Sequence, residues 1–376
     1  TRTSSATRVN PDYLIETVAT DIPRLDYTNG TASILLEPQS TNLVTYSEDF
    51  SNAYWTKSGS SVAGGFTSPS GDLSAFKFAE DGTNSYHYCR RLTVAVASAS
   101  IVTLSLFAKK SENSYVALFE GRSGGTVFFN LETKTVVSAS GGASGTIEQL
   151  PNDWCKIALT VTVPSTIANF EIYNSNDGTS LTYQGVSGNG VYIWGAQLEQ
   201  LSYATSYIPN SGQSAGVTRA AETCFGAGTS STFNSTEGVL YAEIASLVNL
   251  NTTPTTISIS DGTTTNFTEF RYDGTLNNLQ YYLVVGGVYH IATITNLADI
   301  TDFLKVAIKW KVNDFAVWIN GIEVNTATGA IWSANTLDRV DFTEPNGTNS
   351  FRGKTKDIRV YNEALTDVQL QTLTTL

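Results

Sequence analysis

The feature that most constrains this chain is a period of two in its apolar residues, kept up almost from end to end and cut at short intervals by Gly, Asn and Ser clusters. In "SIVTLSLFAKK", Val102, Leu104 and Leu106 share one face and Thr103, Ser105 and Phe107 the other. In "WCKIALTVTVP", Ile157, Leu159, Val161 and Val163 face away from Lys156, Ala158, Thr160 and Thr162. Successive side chains of a strand point to opposite faces, so this alternation predicts strands with one face buried and the other wet, as in antiparallel sheets. The clusters "SGGASG", "NSNDGTS" and "SGNG" supply residues that tolerate the positive φ of tight turns. Many short strands at such spacing predict a sandwich or barrel.

The stretch "VYIWGAQLEQLSYATSYIPNSG", residues 191–212, begins as a strand and ends as a hinge. Val191, Ile193 and Gly195 are expected on one face and Tyr192, Trp194 and Ala196 on the other, until Pro209, Asn210, Ser211 and Gly212 stop the pattern. Past the hinge, Asp273-Gly274 and Gly286-Gly287 read as two-residue hairpin turns. "KVAIKWKVNDFAVWINGIEV" then reads as a meander. It places Val306, Ile308, Trp310 and Val312 on one face, turns at Asn313-Asp314, continues through Phe315, Val317 and Ile319, and turns at Asn320-Gly321. One helix is expected, at the C-terminus, where Thr366 and Gln369 form a capping box ahead of Leu370 and Leu373.

The fold class is therefore all-β: two antiparallel β-sandwich domains in tandem with a short C-terminal helix. The expected boundaries are an extended lead-in at 1–45 packed along the first unit, a first sandwich at 46–208, a linker at 209–222 and a second sandwich at 223–376. At 376 residues the chain is long enough for two such cores without metals or disulfides.

Composition narrows the partners. Only 15% of residues are charged, and Thr, Ser, Asn, Gly and 18 Tyr fill the positions that face solvent. The formal charge of −12, with no Lys/Arg cluster, argues against DNA or RNA as a partner. No window reaches the ~18 apolar residues that a membrane span needs, so no membrane insertion is expected. With no Met, the chain reads as a processed product or a piece of a longer polypeptide. Cys89, Cys155 and Cys224 have neither zinc-site spacing nor the even count of a disulfide framework. Sequons at Asn29, Asn234, Asn251, Asn266 and Asn346 are what chance produces in loops so rich in Asn and Thr.

Two sets of segments carry resemblances. "KVAIKWKVNDFAVWINGIEV", followed by "FRGKTKDIRVYNEALTDVQLQTL", resembles the closing strands of concanavalin A-like, laminin-G-like lectin and glucanase sandwiches, matching at Gly353, Asp357, Ile358, Arg359, Val360, Tyr361, Asn362, Ala364, Leu365, Thr366 and Asp367. "ATRVNPDYLIETVATDIPRLDY", "ILLEPQSTNLVTYSEDFSNAYWTKSG" and "IWGAQLEQLSYATSYIPNSG" running into "VTRAAE" look like segments of tailed-bacteriophage virion proteins, notably head-spike and tail-fibre polypeptides. The resemblance implies a carbohydrate-module-like jelly roll in the first unit. It also implies a virion surface location, other virion proteins as neighbours, and a homotrimer. A fold does not by itself bring its ligand with it.

Catalytic machinery is not apparent. The sandwich glucanases carry Glu-x-Asp-x-x-Glu on one strand, and no Glu here is followed two positions later by Asp. Gly121-Arg122-Ser123-Gly124-Gly125 satisfies G-x-S-x-G but lies between two strands, where a hairpin turn belongs. His87 and His290 are the two available imidazole bases, and His290 reads as an ordinary strand residue. No catalytic residue is assigned and no enzyme is expected.

Binding residues are better supplied. Sugar rings present an apolar C–H face ringed by hydroxyls, so their sites pair aromatic platforms with amides and carboxylates. "EDGTNSYHYCRR", residues 80–91, offers Asp81, Asn84, Tyr86, His87, Tyr88 and Arg90. Trp55 and Trp332 flank loops and join the candidates, whereas Trp154, Trp194 and Trp310 read as core. The plain alternative is that Tyr86 and Tyr88 only cap a core. No cofactor is expected, except that "NDGTS" at 176–180 and "SDGTTTN" at 260–266 could lend oxygen ligands to calcium, although Asp-Gly is also the ordinary turn dipeptide. Three readings follow: a virion appendage that attaches to a bacterial surface glycan, a structural capsid or tail decoration without a ligand, and a polysaccharide depolymerase.

Overall fold

A computed structural model describes residues 1–250 and 253–376. Asn251, among the sequon asparagines, lies outside the described residues. The chain divides into two compact units: residues 3–20 with 39–220, and residues 1–2 with 21–38 and 221–376. Both are antiparallel β-sandwiches.

In the first unit, one six-stranded sheet runs in the order Thr135–Ser140, Gly125–Asn130, Tyr115–Glu120, Ile167–Ser175, Tyr88–Ala95, Thr56–Ser58. The facing sheet runs Ser144–Gln149, Trp154–Val163, Ser100–Lys110, Gly190–Glu199, Ala75–Glu80, Ser60–Phe66. The alternating residues meet between them: Val102, Leu104 and Leu106 join Ile157, Leu159, Val161 and Val163 in a core with Val116, Leu118, Phe170 and Ile172. The opposite face of strand Ser100–Lys110, expected to be wet, is covered instead. Thr103, Ser105 and Phe107 are buried, and Phe107 packs with Trp154, Trp194, Tyr207 and with Val9 and Ile15 of the hairpin Ala6–Val9/Ile15–Val18.

Gly195 overturns part of the expected alternation. Leu104 pairs with Leu198 and Phe107 with Trp194, so the strand Gly190–Glu199 carries one extra residue at this point. Gly195 has φ +64°, where a β-carbon would sit 2.9 Å from Phe107 Cδ2, which explains why only glycine serves there. The bulge flips the register, and Ala196 joins Val191 and Ile193 in the core instead of facing with Trp194.

The hinge residues are tied down more closely than a linker would be. Ser211 bridges Tyr46, Val217–Arg219 pairs with Ser40–Asn42, and Asn210 accepts from the backbone N–H groups of Gly212 and Gln213.

In the second unit, a seven-stranded sheet runs Ile322–Ala327, Phe315–Ile319, Leu304–Lys311, Glu237–Ser246, Gly353–Tyr361, Ser33–Leu36, Leu25–Asp26. A five-stranded sheet faces it: Val288–Asn296, Asn278–Val285, Phe267–Tyr272, Thr255–Ser260, Arg339–Asp341. Leu240, Ile257, Phe270, Tyr281, Ile308 and Val317 are among the residues that close the core between them. Residues 1–45, expected along the first unit, are thus shared out, and Ser33–Leu36 extends the sheet of the second by pairing with Gly353–Tyr361.

Turn chemistry is mostly as expected. Gly286-Gly287 and Asn320-Gly321 form two-residue turns with positive φ at both positions. Asp273-Gly274 does not: the loop runs over 273–277, and the left-handed position is taken by Asn277. Val312 also leaves its expected strand face and lies exposed in the turn before Phe315. The helix Asp367–Thr374 has Thr366 as N-cap in a complete capping box with Gln369, and Leu370 packs onto Tyr241, Ala307 and Trp318 on the outer face of the seven-stranded sheet. Among the described residues no helix is long and apolar enough to cross a membrane.

The front-half stretches around Arg24, Glu37 and Glu222 converge on one buried ion network in the second unit. Arg24 pairs with Glu37 at 2.8 Å and with Glu222, while Arg2 reaches Glu222 at 2.9 Å and the Glu37 N–H donates to Glu222 Oε2 at 2.9 Å. Burial works against the charge on Arg24, but Glu37 and Glu222 outweigh it and hold the guanidinium protonated.

Candidate functional site

The outer face of the first unit's sheet that contains Tyr88–Ala95 is built from alternate residues of strands whose other side chains fill the core. Cys89, Leu118, Val127 and Ile172 point inward. Their neighbours point out and align in two rows across the sheet. One row is Ser58, Tyr88, Tyr173, Ala117 and Phe128; the next is Thr56, Arg90, Glu171, Phe119 and Thr126. The result is an aromatic strip beside a charged one.

Within the strip, Tyr88 and Tyr173 have ring centroids 5.6 Å apart, and Phe119 and Tyr86 each lie 6.1 Å from Tyr173. Tyr86 comes from the short strand Asn84–Tyr86, which pairs with Thr182–Gln184, and Leu181 packs against the Ala117, Phe128 and Tyr173 cluster. Tyr86 is 50% exposed. It is the ring this cluster most openly offers to solvent.

Arg90 joins the two rows. Its guanidinium carbon lies 4.2 Å from the Tyr88 ring centroid, while Nη1 bonds Glu171 Oε2 at 3.2 Å. Burial opposes the charge on Arg90, but Glu171 more than compensates and raises its pKa. The Tyr173 hydroxyl donates to the same Glu171 oxygen at 2.9 Å, and burial, together with Glu171, pushes that phenol well above its ordinary range, so it stays a donor. Arg90 Nε is buried and has no hydrogen-bond partner among the described residues. The Arg90 side chain is 28% exposed, so the guanidinium also faces solvent beside the aromatic strip.

Of the residues singled out from sequence, Tyr86 and Tyr88 are brought together here, and Asp81, Asn84 and Arg90 come from the same segment. His87 points the other way. It is fully buried, with Nδ1 2.6 Å from the Gly59 carbonyl and Nε2 3.3 Å from that of Tyr183. Trp55 is core, 2% exposed, packed on Phe50 and Phe170 with its indole N–H donated to the Tyr46 carbonyl. Trp332 is equally buried in the second unit and donates to the Val284 carbonyl at 2.9 Å. These three are therefore not surface platforms. Trp154, Trp194 and Trp310 are buried as expected.

Sequence reasoning missed Glu171, Tyr173, Phe119 and Phe128. The signal was present in "NFEIYN", where Phe170 and Ile172 alternate with Glu171 and Tyr173, but an aromatic on the outward register was not read as a partner for Tyr88.

The second unit holds a related cluster on its five-stranded sheet. Arg271 lies 4.9 Å from the Tyr282 ring, bonds Gln280 and Glu344 at 2.7 Å each, and Tyr289, 5.9 Å from Tyr282, is well exposed.

The loop motifs weighed for catalysis and for calcium take ordinary turn geometry. Gly121–Gly124 forms the turn between Tyr115–Glu120 and Gly125–Asn130, with the Glu120 carboxylate capping the N–H groups of Arg122 and Ser123. His290 lies in the strand Val288–Asn296, its ring 5.4 Å from Phe315. Asp177 is spent on the N–H groups of Thr179 and Ser180, which hold its pKa at about 2 despite some burial, and Asp261 on Thr263 and Asn266. Among the described residues no group of three or more His, Cys, Asp or Glu side chains could hold a metal ion. Cys89 and Cys155 are buried, burial pushing the Cys89 thiol up to about 12, and Cys224 is exposed.

No protein-family model matches this sequence, and no curated protein does. Solved structures resemble it in part. The CBM40 module of the Ruminococcus gnavus IT-sialidase, bound to alpha2,3 sialyllactose, is 15% identical, matching 41% of this chain and 96% of its own with a TM-score of 0.33. The NanB sialidase of Streptococcus pneumoniae is 12% identical over 39% of this chain, with a TM-score of 0.31, and the chain spans about a quarter of that protein's length. A heptameric SAP-like pentraxin from Limulus polyphemus is 16% identical, over 37% of this chain and 70% of its own, with a TM-score of 0.30.

Proposed function

We propose that this chain is a surface component of a tailed-phage virion, a head spike or tail fibre, that attaches to a bacterial surface glycan through the Tyr86–Tyr88–Arg90–Glu171–Tyr173 face of its first unit. The observation that carries the reading is the half-exposed Tyr86 ring against Tyr173, beside a partly exposed Arg90 guanidinium that is stacked on Tyr88 and paired with Glu171. Sugar recognition uses this combination: rings accept the C–H face of a pyranose while fixed donors and acceptors orient its hydroxyls. The virion location rests on the resemblance of the front-half segments to head-spike and tail-fibre polypeptides, and the same resemblance suggests a homotrimer among other virion proteins. The reading assigns binding without turnover.

The test places the protein on purified particles with a specific antibody and asks whether that antibody blocks adsorption to host cells. Particle labelling with blocked adsorption supports attachment. Labelling without any effect on adsorption favours structural decoration, and release of new reducing ends from host capsule would make the protein a depolymerase.

A further inference from the structure

A separate cavity of about 510 Å³ opens in the first unit, lined by none of the residues of the aromatic strip. Three segments form its wall: Tyr46, Glu48 and Asp49; Gly64, Gly65, Leu73, Ser74 and Phe76 at the end of a hairpin; and the tied-down Pro209–Asn210–Ser211. Its size is that of ordinary small-ligand sites.

The chemistry of the lining is one-sided. Tyr46 and Phe76 supply rings and Leu73, 68% exposed, an aliphatic rim. Glu48 and Asp49 supply carboxylates, and no Lys, Arg or His lines the cavity. Asp49 Oδ1 is occupied by Ser51 and Asn52. Glu48 is only half-buried and is held by a single hydrogen bond among the described residues, from the Tyr207 hydroxyl at 2.9 Å. That hydroxyl is itself fixed by Ser47 Oγ at 2.7 Å, and Ser47 by Asn210. Glu48 is therefore positioned in advance with acceptor capacity to spare. Burial raises its pKa, Asp72 adds to the rise, and the Tyr207 bond only partly offsets it, so an incoming cation would relieve an existing electrostatic cost.

We infer that this cavity is a second ligand site, taking a pyranose that bears a protonated amine, with Glu48 as the acceptor for the ammonium and Tyr46 and Phe76 as the apolar walls. The site discriminates by charge: a neutral N-acetylated sugar keeps the ring contacts but loses the charge-assisted hydrogen bond, and a uronic acid meets two carboxylates with no cation to offset them. It stands independently of the proposed glycan face.

Titration calorimetry of the intact chain with glucosamine, N-acetylglucosamine and glucuronic acid tests this. Glucosamine is expected to bind about tenfold more tightly than N-acetylglucosamine, the scale of one hydrogen bond to a charged group, with glucuronic acid weakest. Glu48→Gln should remove the preference for the amine, and Leu73→Lys, at an exposed rim position that leaves the fold intact, should weaken glucosamine by placing a cation at the mouth. Ile101→Thr, at an exposed position that lines neither this cavity nor the aromatic strip, should leave all three affinities unchanged. Equal affinity for the three sugars, tighter binding of glucuronic acid, or a full amine preference in both Glu48→Gln and Leu73→Lys would overturn the assignment.

Discussion

Arg90 and Glu171 sit directly opposite each other on neighbouring strands and are joined at 3.2 Å, with Glu171 almost wholly buried and Arg90 about a quarter exposed. The pair is asymmetric: Glu171 keeps the Tyr173 hydroxyl if Arg90 is lost, whereas Arg90 has no second carboxylate within bonding distance among the described residues. Arg90→Ala should therefore lower stability modestly, by about 1–2 kcal/mol, since the exposed guanidinium is partly screened. Urea unfolding of the variant checks this, and an unchanged midpoint would mean the pair contributes nothing to the fold.

The Arg24 network should matter far more to stability. Its side chain is fully buried between Glu37 and Glu222. Arg24→Met removes the cation that pairs with both buried carboxylates, at a cost of about 3–5 kcal/mol. Calorimetry should show the unfolding transition of the second unit at a markedly lower temperature, and a wild-type transition would contradict the role given to these segments.

Glu269 gives the second unit a pH dependence of defined sign. It is 2% exposed, and its Oε2 has no partner among the described residues. Burial, opposed by Arg271 and reinforced by Glu344, pushes its carboxyl up to about 8. The unfolded chain releases this proton near the ordinary value of about 4.3. Between those pH values the folded state holds a proton that the unfolded state has lost. Stability from this group is thus fully present at the acid end, falls by at most about 1.4 kcal/mol per pH unit, and levels off above pH ~8. Glu269→Gln should flatten that slope in unfolding curves taken from pH 5 to 9. Parallel curves for the two proteins would show that Glu269 does not titrate in this way.

Gly195→Ala probes the bulge. The new methyl group would meet Phe107 and Tyr207 at 2.9 and 3.2 Å in a backbone conformation that L-residues seldom adopt. A loss of about 1–3 kcal/mol from the first unit is expected in its thermal unfolding. Full retention of stability would mean that the strand can shed its extra residue.

What was legible in the sequence was local. The Thr366–Gln369 capping box and the Gly286-Gly287 turn depend on a few adjacent residues and formed where their chemistry placed them. Ala196 was misassigned because a bulge depends on the partner strand, which only the pairing with Ser100–Lys110 reveals. Ser33–Leu36 was misplaced for the same reason: its partner is over 300 residues away, in Gly353–Tyr361. Trp55 and Trp332 became candidates because they flank loops, yet each indole N–H finds a backbone carbonyl, which removes the usual penalty for burying tryptophan. Half of the candidate site was visible in "SYHYCRR"; Glu171 and Tyr173 needed the register that sets them beside it.

The most direct measurement is the affinity of the intact chain for glycans extracted from the host surface, wild type against Tyr86→Ala and Tyr88→Ala, with folding of each variant verified by circular dichroism. Saturable binding that weakens about tenfold in either variant, the scale of one lost ring contact, is the predicted result. Binding of equal strength in all three proteins, or none in the wild type, would contradict the placement of recognition on this aromatic face.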